Sequence, residues 1–147
     1  MRVRDVMSAP AVTVPPHALL ADVIRRMADH AVGSVVVVED DVPCGIVTDR
    51  DLAMRVLGVG LSLEARVSEV MSPRPVTVAA ADELHVAYRA MRLAGVRRLP
   101  VLDGRRVVGM VTADDLLLDV FQRLADLLGP VARSILEETP GPPGQRR

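Results

Sequence analysis

The chain of 147 residues is 50% hydrophobic and 25% charged, a composition that suits one compact folded unit or two very small ones. A formal net charge of −1 and an aromatic content of 1% argue against a basic face or a stacking platform, and so against nucleic-acid binding. No apolar run approaches the roughly 20 residues of a membrane span, and the first residues lack a signal sequence, so we expect a cytoplasmic protein without a membrane partner.

An internal repeat organises the chain. Residues 6–52 align with residues 70–116 without a gap, at an offset of 64, and 16 of the 47 aligned pairs are identical. Both copies contain VMS and VTV near their beginnings, and they close with GIVTDRDL in the first copy and GMVTADDL in the second. This agreement indicates a duplication, with repeat 1 in residues 1–60 and repeat 2 in residues 61–128.

The first copy predicts the element order β-α-β-β-α. AVTV is a short strand after Pro10. An apolar face at helical spacing follows, made of Leu20, Val23, Ile24, Met27 and Ala31. SVVVVED and CGIVT are strand-forming runs joined by a turn at DDVP, and a helix begins directly after Thr48.

The second copy predicts the same elements. PVTV is its first strand, and Asp82 is the predicted N-cap of the helix that carries Leu84 and Met91. RLPVLD and VVGMVT form a hairpin around DGRR. One copy is too small to bury a core alone, so we expect an α+β fold in which the two copies pack sheet against sheet.

The remaining segments are short. MRVRDV and SEVM are predicted as leading helical turns of the two copies, and residues 58–66 as a linker. The last helix, which begins at Ala113, has a broad apolar stripe that is expected to end where Gly129 and Pro130 interrupt it. Residues 129–147 are therefore predicted as a helical extension followed by a disordered tail rich in Pro and Gly.

The duplicated β-α-β-β-α order, closed each time by G-h-h-T-x-x-D-L, resembles the CBS domain pair, also called the Bateman module. The resemblance covers residues 1 to about 128, and GSVVVVEDDVPCGIVTDRDL and GVRRLPVLD are each typical of that family. It implies two CBS repeats related by pseudo-two-fold symmetry, with two clefts between them. It also implies an adenosine-containing ligand such as AMP, ADP, ATP or S-adenosylmethionine, no required cofactor, and a disc-shaped homodimer.

The repeated Thr and Asp have a chemistry that suits such a ligand. A Thr at a strand end precedes helical N–H groups that favour a phosphate, and an Asp three residues later can accept both hydroxyl protons of a ribose. By the resemblance, Thr48 and Thr112 contact phosphate, and Asp51 and Asp115 contact ribose. The same residues also have a purely structural interpretation as helix caps and first-turn acids, and the sequence leaves both interpretations open.

The resemblance assigns the other wall of each site to the beginning of the second strand. In the second copy Val96 lies against an adenine, while Arg97 and Arg98 meet phosphates. The matching residues of the first copy carry no charge: Val32, Gly33 and Ser34. The two sites should therefore differ in strength, although Arg97 and Arg98 have the alternative of surface ion pairs with Asp114 or Glu83.

The copies also differ between the Thr and the Asp, where the first has Arg50 and the second Asp114. A carboxylate at this position repels a polyphosphate unless Arg97 or Arg98 neutralises it. A monophosphate or another ribosyl ligand is then easier to bind than ATP.

Other chemistry is weakly represented. The three histidines have no metal-ligand spacing, and no serine lies in a nucleophile motif, so we expect neither a metal site nor an enzyme. Cys44 is the only cysteine and is predicted to be a small buried apolar residue, with a reactive thiol as the alternative.

Two functions remain from the sequence. The first is a regulatory sensor of adenine nucleotides that forms a homodimer through its helices and acts on a separate, unidentified protein. The alternative is an interaction or stress-associated scaffold that binds no nucleotide and uses the Thr and Asp only as caps.

Overall fold

A computed structural model describes residues 1–137 and confirms the mixed α+β fold. Repeat 1 contains β1 (Thr13–Val14), α1 (Leu20–His30), β2 (Ser34–Glu39), β3 (Val42–Thr48) and α2 (Asp49–Leu52), which a π-helical segment, Ala53–Leu57, continues. Repeat 2 contains β4 (Ser72–Pro73), β5 (Val78–Ala79), α3 (Leu84–Ala94), β6 (Arg98–Asp103), β7 (Arg106–Thr112) and α4 (Ala113–Glu137). A 3-10 turn precedes each set of elements, at Val3–Asp5 and Val67–Glu69.

Two small sheets hold the strands. The first has the order β1-β2-β3-β4 and the second the order β5-β6-β7. The long strands form the two predicted hairpins, β2 with β3 and β6 with β7. Asp40 and Asp41 turn the first hairpin with φ of 51° and 64°, the left-handed conformation that matches the twist of a two-residue hairpin loop.

Each repeat has an aliphatic core between its sheet and its helices. In repeat 1, α1 buries Leu20, Val23 and Met27 against Val35 and Val37 of β2. The corresponding residues of repeat 2 bury the same face of α3 against β6: Leu84, Ala87, Met91, Leu99 and Val101. Since successive strand residues point to opposite faces, the buried Val36 and Pro100 lie on the sheet faces opposite these two cores.

The leading segments of the two repeats are exchanged. Val3, from the beginning of repeat 1, is fully buried in the core of repeat 2, whereas Val67 and Val70 are fully buried in the core of repeat 1. The backbone follows the same exchange, because β4 pairs with β3 and Ser8 forms a bridge with Met110 of β7. Neither core is complete without residues from the other repeat.

The exchange explains why both copies carry a glycine in the closing motif. A Cβ at Gly45 would lie 2.9 Å from Met71 Cγ and closer still to its sulfur. A Cβ at Gly109 would lie 2.7 Å from both Met7 Sδ and Ser8 O. Only glycine leaves room for the exchanged methionine to cross the return strand, so the repeated Gly and the repeated VMS form one packing unit.

Two helix-end predictions were wrong. Asp82 does not cap α3, because the helix begins one residue later than predicted with Glu83 as its N-cap, and the Asp82 carboxylate accepts the Ala79 N–H at 2.9 Å instead. The predicted break at Gly129 and Pro130 is absent, since α4 continues to Glu137. The apolar spacing continues beyond the proline, and water can reach the carbonyl that the proline leaves without a donor on this exposed helix.

The first strand of each copy is also shorter than AVTV and PVTV predicted, with two residues in each of β1 and β5. The predicted disordered tail, residues 139–147, lies outside the described residues.

Cys44 lies in β3 and is half-buried, against the core of repeat 1. Its thiol donates to the carbonyl of Val37 at 3.4 Å. Burial, and secondarily the negative charge of Glu39, raise the pKa of the thiol above its ordinary value. The protonated thiol behaves as a small apolar side chain with one weak hydrogen bond.

We predict that Gly45→Ala lowers the free energy of unfolding by about 1–3 kcal/mol, because the new methyl group overpacks against Met71. Urea unfolding followed by circular dichroism measures the loss. Gly129→Ala is the matched control, since its Cβ would meet no atom within 4 Å and a helical Gly→Ala change is neutral or stabilising. In the double variant Gly45→Ala/Met71→Ala the two losses should be less than additive, and strict additivity would contradict the packing unit.

We predict that Cys44 reacts with iodoacetamide more slowly than free cysteine near pH 7.5. The thiolate is the reacting species, and a raised pKa means that it forms only at higher pH than in an exposed cysteine. Mass spectrometry of the alkylated protein over a pH series should show the rise in rate displaced to higher pH. A profile equal to that of free cysteine would contradict the burial of the thiol.

Candidate ligand-binding clefts

The Thr and Asp of the closing motifs form reciprocal capping boxes. In repeat 1, Thr48 Oγ1 accepts the Asp51 N–H at 3.2 Å, and Asp51 Oδ2 accepts the Thr48 N–H at 2.9 Å. In repeat 2, Thr112 and Asp115 make the same pair of bonds at 3.1 and 3.0 Å. The structure therefore contains the caps that the sequence predicted, with one oxygen of each carboxylate outside the capping box.

A cleft of about 350 Å³, here called the first cleft, lies between the repeats. Thr48 and Asp51 of repeat 1 line one side, and residues Val96, Arg97 and Arg98 of repeat 2 line the other. The structure thus brings together five of the predicted site residues, and it takes them from different repeats. Their role as ligand contacts stays a prediction.

The symmetry-related hollow, here called the second cleft, is smaller, at about 200 Å³. Thr112 of repeat 2 lies in it with the predicted residues of repeat 1, which are Val32, Gly33 and Ser34. Asp115 is not among the lining residues. Arg98 lines this cleft as well as the first.

The first cleft has a third wall that was not predicted from the sequence. Strand β4 and the three residues after it, 72–76 in all, form this wall, and they include Arg74, whose φ of 50° places it in a tight left-handed bend. At the offset of 64, Arg74 corresponds to Pro10 in the second cleft. The alignment of Arg74 with Pro10 therefore shows a difference in charge between the two clefts. Which cleft contains Arg74 depends on the exchange of the leading segments.

Arg50 and Asp114 lie on the exposed surface, outside the linings of both clefts. The backbone N–H of Arg50 donates to Asp49 Oδ1 at 2.8 Å. Asp114 Oδ1 lies 3.4 Å from Arg97 Nη2, and both side chains are more than three-quarters exposed. This pair is the one that the sequence analysis gave as an alternative for Arg97, and such an exposed ion pair is weak enough to open at little cost.

The charges of the two clefts differ. The first cleft carries Arg74, Arg97 and Arg98 against the single carboxylate of Asp51. In the second cleft Arg98 is the one charged residue of the lining, among small and apolar side chains. An anionic ligand would therefore meet a more favourable potential in the first cleft.

Two larger hollows lie on the helical faces. One, of about 400 Å³, is bounded mainly by apolar residues of α1, α2 and the segment after α2, and it shares Val32 with the second cleft. The other, of about 420 Å³, lies between α3 and α4. In residues 1–137 we find no cluster of three or more His, Cys, Asp or Glu side chains suited to a metal ion. Over the same residues, the helices are too short or too polar to span a membrane.

Comparison with known proteins gives a consistent result. The family model described as the CBS domain matches twice, over residues 3–58 and 67–121. The CBS domain-containing protein YhcV of Bacillus subtilis is 36% identical over 117 residues, which are 80% of this chain and 84% of YhcV. MK0525 of Methanopyrus kandleri is 34% identical over 118 residues, and there the match covers 78% of this chain and 60% of the longer relative.

A solved structure agrees with the fold. The CBS domain protein PAE2072 from Pyrobaculum aerophilum, complexed with AMP, superposes with a TM-score of 0.76 at 26% identity. The superposition covers 86% of this chain and 99% of that protein.

Proposed function

Because this chain belongs to the CBS domain family, we propose that it is a regulatory module that binds an adenosine-containing ligand and acts on a separate protein. AMP is the first candidate ligand. The proposal assigns the chain no catalytic step. It includes a cytoplasmic location, where the free thiol of Cys44 would stay reduced.

One observation carries the proposal: the first cleft joins the capping box of repeat 1 to the basic wall of repeat 2. The oxygen of Asp51 outside the capping box can accept ribose hydroxyl protons, and the other oxygen keeps a lone pair for the same purpose. Val96 offers an apolar contact for the adenine. Arg97 carries a guanidinium group that can donate paired hydrogen bonds to a phosphate, and Arg98, which lines both clefts, adds positive charge beside it.

Size and charge support a monophosphate over a triphosphate. A volume of about 350 Å³ lies near the lower end of the usual range for small-molecule sites, roughly 300–1,000 Å³. Asp114 also competes for Arg97, at 3.4 Å, and its charge opposes a ligand that extends past the arginine. PAE2072, the solved relative that is complexed with AMP, supports the same ligand class.

The alternative function is an interaction scaffold that binds no nucleotide. The two capping boxes favour it, because they give the repeated Thr and Asp a structural role that needs no ligand. Ligand titration separates the two functions.

We also propose that the protein forms a homodimer through its helical faces. Six apolar residues of α4 are largely exposed and recur with alternating spacings of four and three, as in a coiled-coil seam: Leu117, Phe121, Leu124, Leu128, Val131 and Ile135. This seam begins at the groove between α3 and α4, which Leu117 also lines. A second copy of the chain is the partner whose own seam has the matching spacing and chemistry.

We predict that isothermal titration calorimetry detects AMP binding to the wild-type protein, with a higher affinity for AMP than for ATP. Asp51→Asn should weaken AMP binding by about tenfold or more, because it replaces a charged acceptor worth about 1.5–3 kcal/mol and keeps an oxygen for the cap. Asp29→Asn, on the exposed face of α1, is the matched control and should bind like the wild type.

Two results would count against this account. An absence of heat with AMP, ADP, ATP and S-adenosylmethionine would support the scaffold function instead. Binding that is unchanged in Asp51→Asn would retain the ligand but contradict the assignment of Asp51.

For the dimer, we predict that light scattering coupled to gel filtration gives the mass of two chains for the wild type. Leu124→Glu/Leu128→Glu should give the mass of one chain, because it places charges in the middle of the seam. Leu136→Glu is the control, since this exposed residue lies on α4 outside the seam. A double variant that stays dimeric would exclude this face as the interface.

A further inference from the structure

Arg98 is the one residue lining the second cleft whose counterpart does not line the first. At the offset of 64 its counterpart is Ser34, which lines the second cleft but not the first. The other residues of the second cleft all have a counterpart in the first cleft, whereas Arg98 has none. The cleft that receives this additional side chain has about 200 Å³ and the other about 350 Å³.

The guanidinium of Arg98 lies over Gly33 in the second cleft. A Cβ built on Gly33 would be 2.9 Å from Arg98 Nη2 and 3.2 Å from Asp49 Oδ2. Both groups therefore lie beside the bare Cα of Gly33, although they do not form an ion pair with each other. A larger residue at position 33 would occupy the space in which the guanidinium rests.

The mirror arrangement is missing from the sequence. The counterparts of Gly33, Ser34 and Asp49 are Arg97, Arg98 and Ala113. A serine cannot reach across to the first cleft, there is no glycine at position 97 to receive a long side chain, and Ala113 offers no carboxylate. The two copies thus differ at these three aligned positions, and the differences together favour placing Arg98 in the second cleft.

We propose that Arg98 closes the second cleft, so that each chain binds one adenosine-type ligand, in the first cleft. This inference rests on the proposed function, and it adds the number of ligands that each chain binds and the residue that determines this number. A volume of about 200 Å³ falls below the roughly 300 Å³ at which small-molecule sites begin. Removal of the Arg98 side chain enlarges the second cleft and leaves Thr112, Val32 and Ser34 in position to line it.

The test is the stoichiometry of adenosine binding, measured by calorimetry on the full chain. Arg98 also lines the first cleft, and adenosine is the probe because it has no phosphate, so that Arg98→Ser removes no ionic contact from this ligand. We expect one adenosine per chain for the wild type and two for Arg98→Ser, which installs the residue of the first copy. Arg89→Ser, on the exposed face of α3, is the control and should stay at one.

The outcomes test the closure of the second cleft by Arg98 separately from the proposed binding of an adenosine-containing ligand. Two equal adenosine sites in the wild type would overturn the role of Arg98 and leave nucleotide binding intact. The same conclusion would follow if Arg98→Ser unfolded at the wild-type thermal midpoint and still bound one adenosine per chain. Failure of the wild type and of Arg98→Ser to bind adenosine or AMP would overturn the proposed function and the closed second cleft together.

Discussion

The interaction on which the rest of the structure depends is the crossing of each leading segment over the return strand of the other repeat. Met71 crosses Gly45, and Met7 crosses Gly109. These contacts carry Val67 and Val70 into the first core and Val3 into the second. A core of about ten buried aliphatic side chains is small for an independent domain, and the exchange joins two such cores into one folding unit.

The exchange also determines the composition of the clefts. The segment after β4 enters the first cleft because β4 pairs with β3, and it brings Arg74 to the side where Thr48 and Asp51 lie. Because each cleft contains residues of both repeats, a ligand that contacts both walls also stabilises the arrangement of the repeats. Ligand binding would in this way be coupled to the relative positions of the two repeats.

Much of this fold follows from the sequence. The two hairpins and the amphipathic helices follow from alternation, helical spacing and turn residues, and the duplication shows that both copies share them. The capping boxes at Thr48 and Thr112 follow from local spacing alone. Local rules were insufficient at Asp82 and at Pro130, where the position of a helix end depends on neighbouring residues and on exposure to water.

The exchange itself could not be predicted, since the alignment of residues 6–52 with 70–116 is the same whether VMS packs on its own repeat or on the other. The composition of each cleft was consequently beyond the sequence. The difference in charge between Arg97–Arg98 and Gly33–Ser34 was visible in the sequence. The structure contains clefts with different charges, and the predicted difference in binding strength stays a prediction. Arg98 lines both clefts because of the distance between the repeats and because Gly33 has no side chain. The position of Arg98 relative to Gly33 is known only from the three-dimensional structure.

The most direct test of this account is a crystal structure of the protein grown with AMP. The account predicts the nucleotide in the first cleft, with its ribose hydroxyls on the carboxylate of Asp51 and its phosphate against Arg97 or the N–H groups that follow Thr48. A nucleotide whose ribose lies away from Asp51, or clefts without nucleotide at saturating AMP, would contradict it.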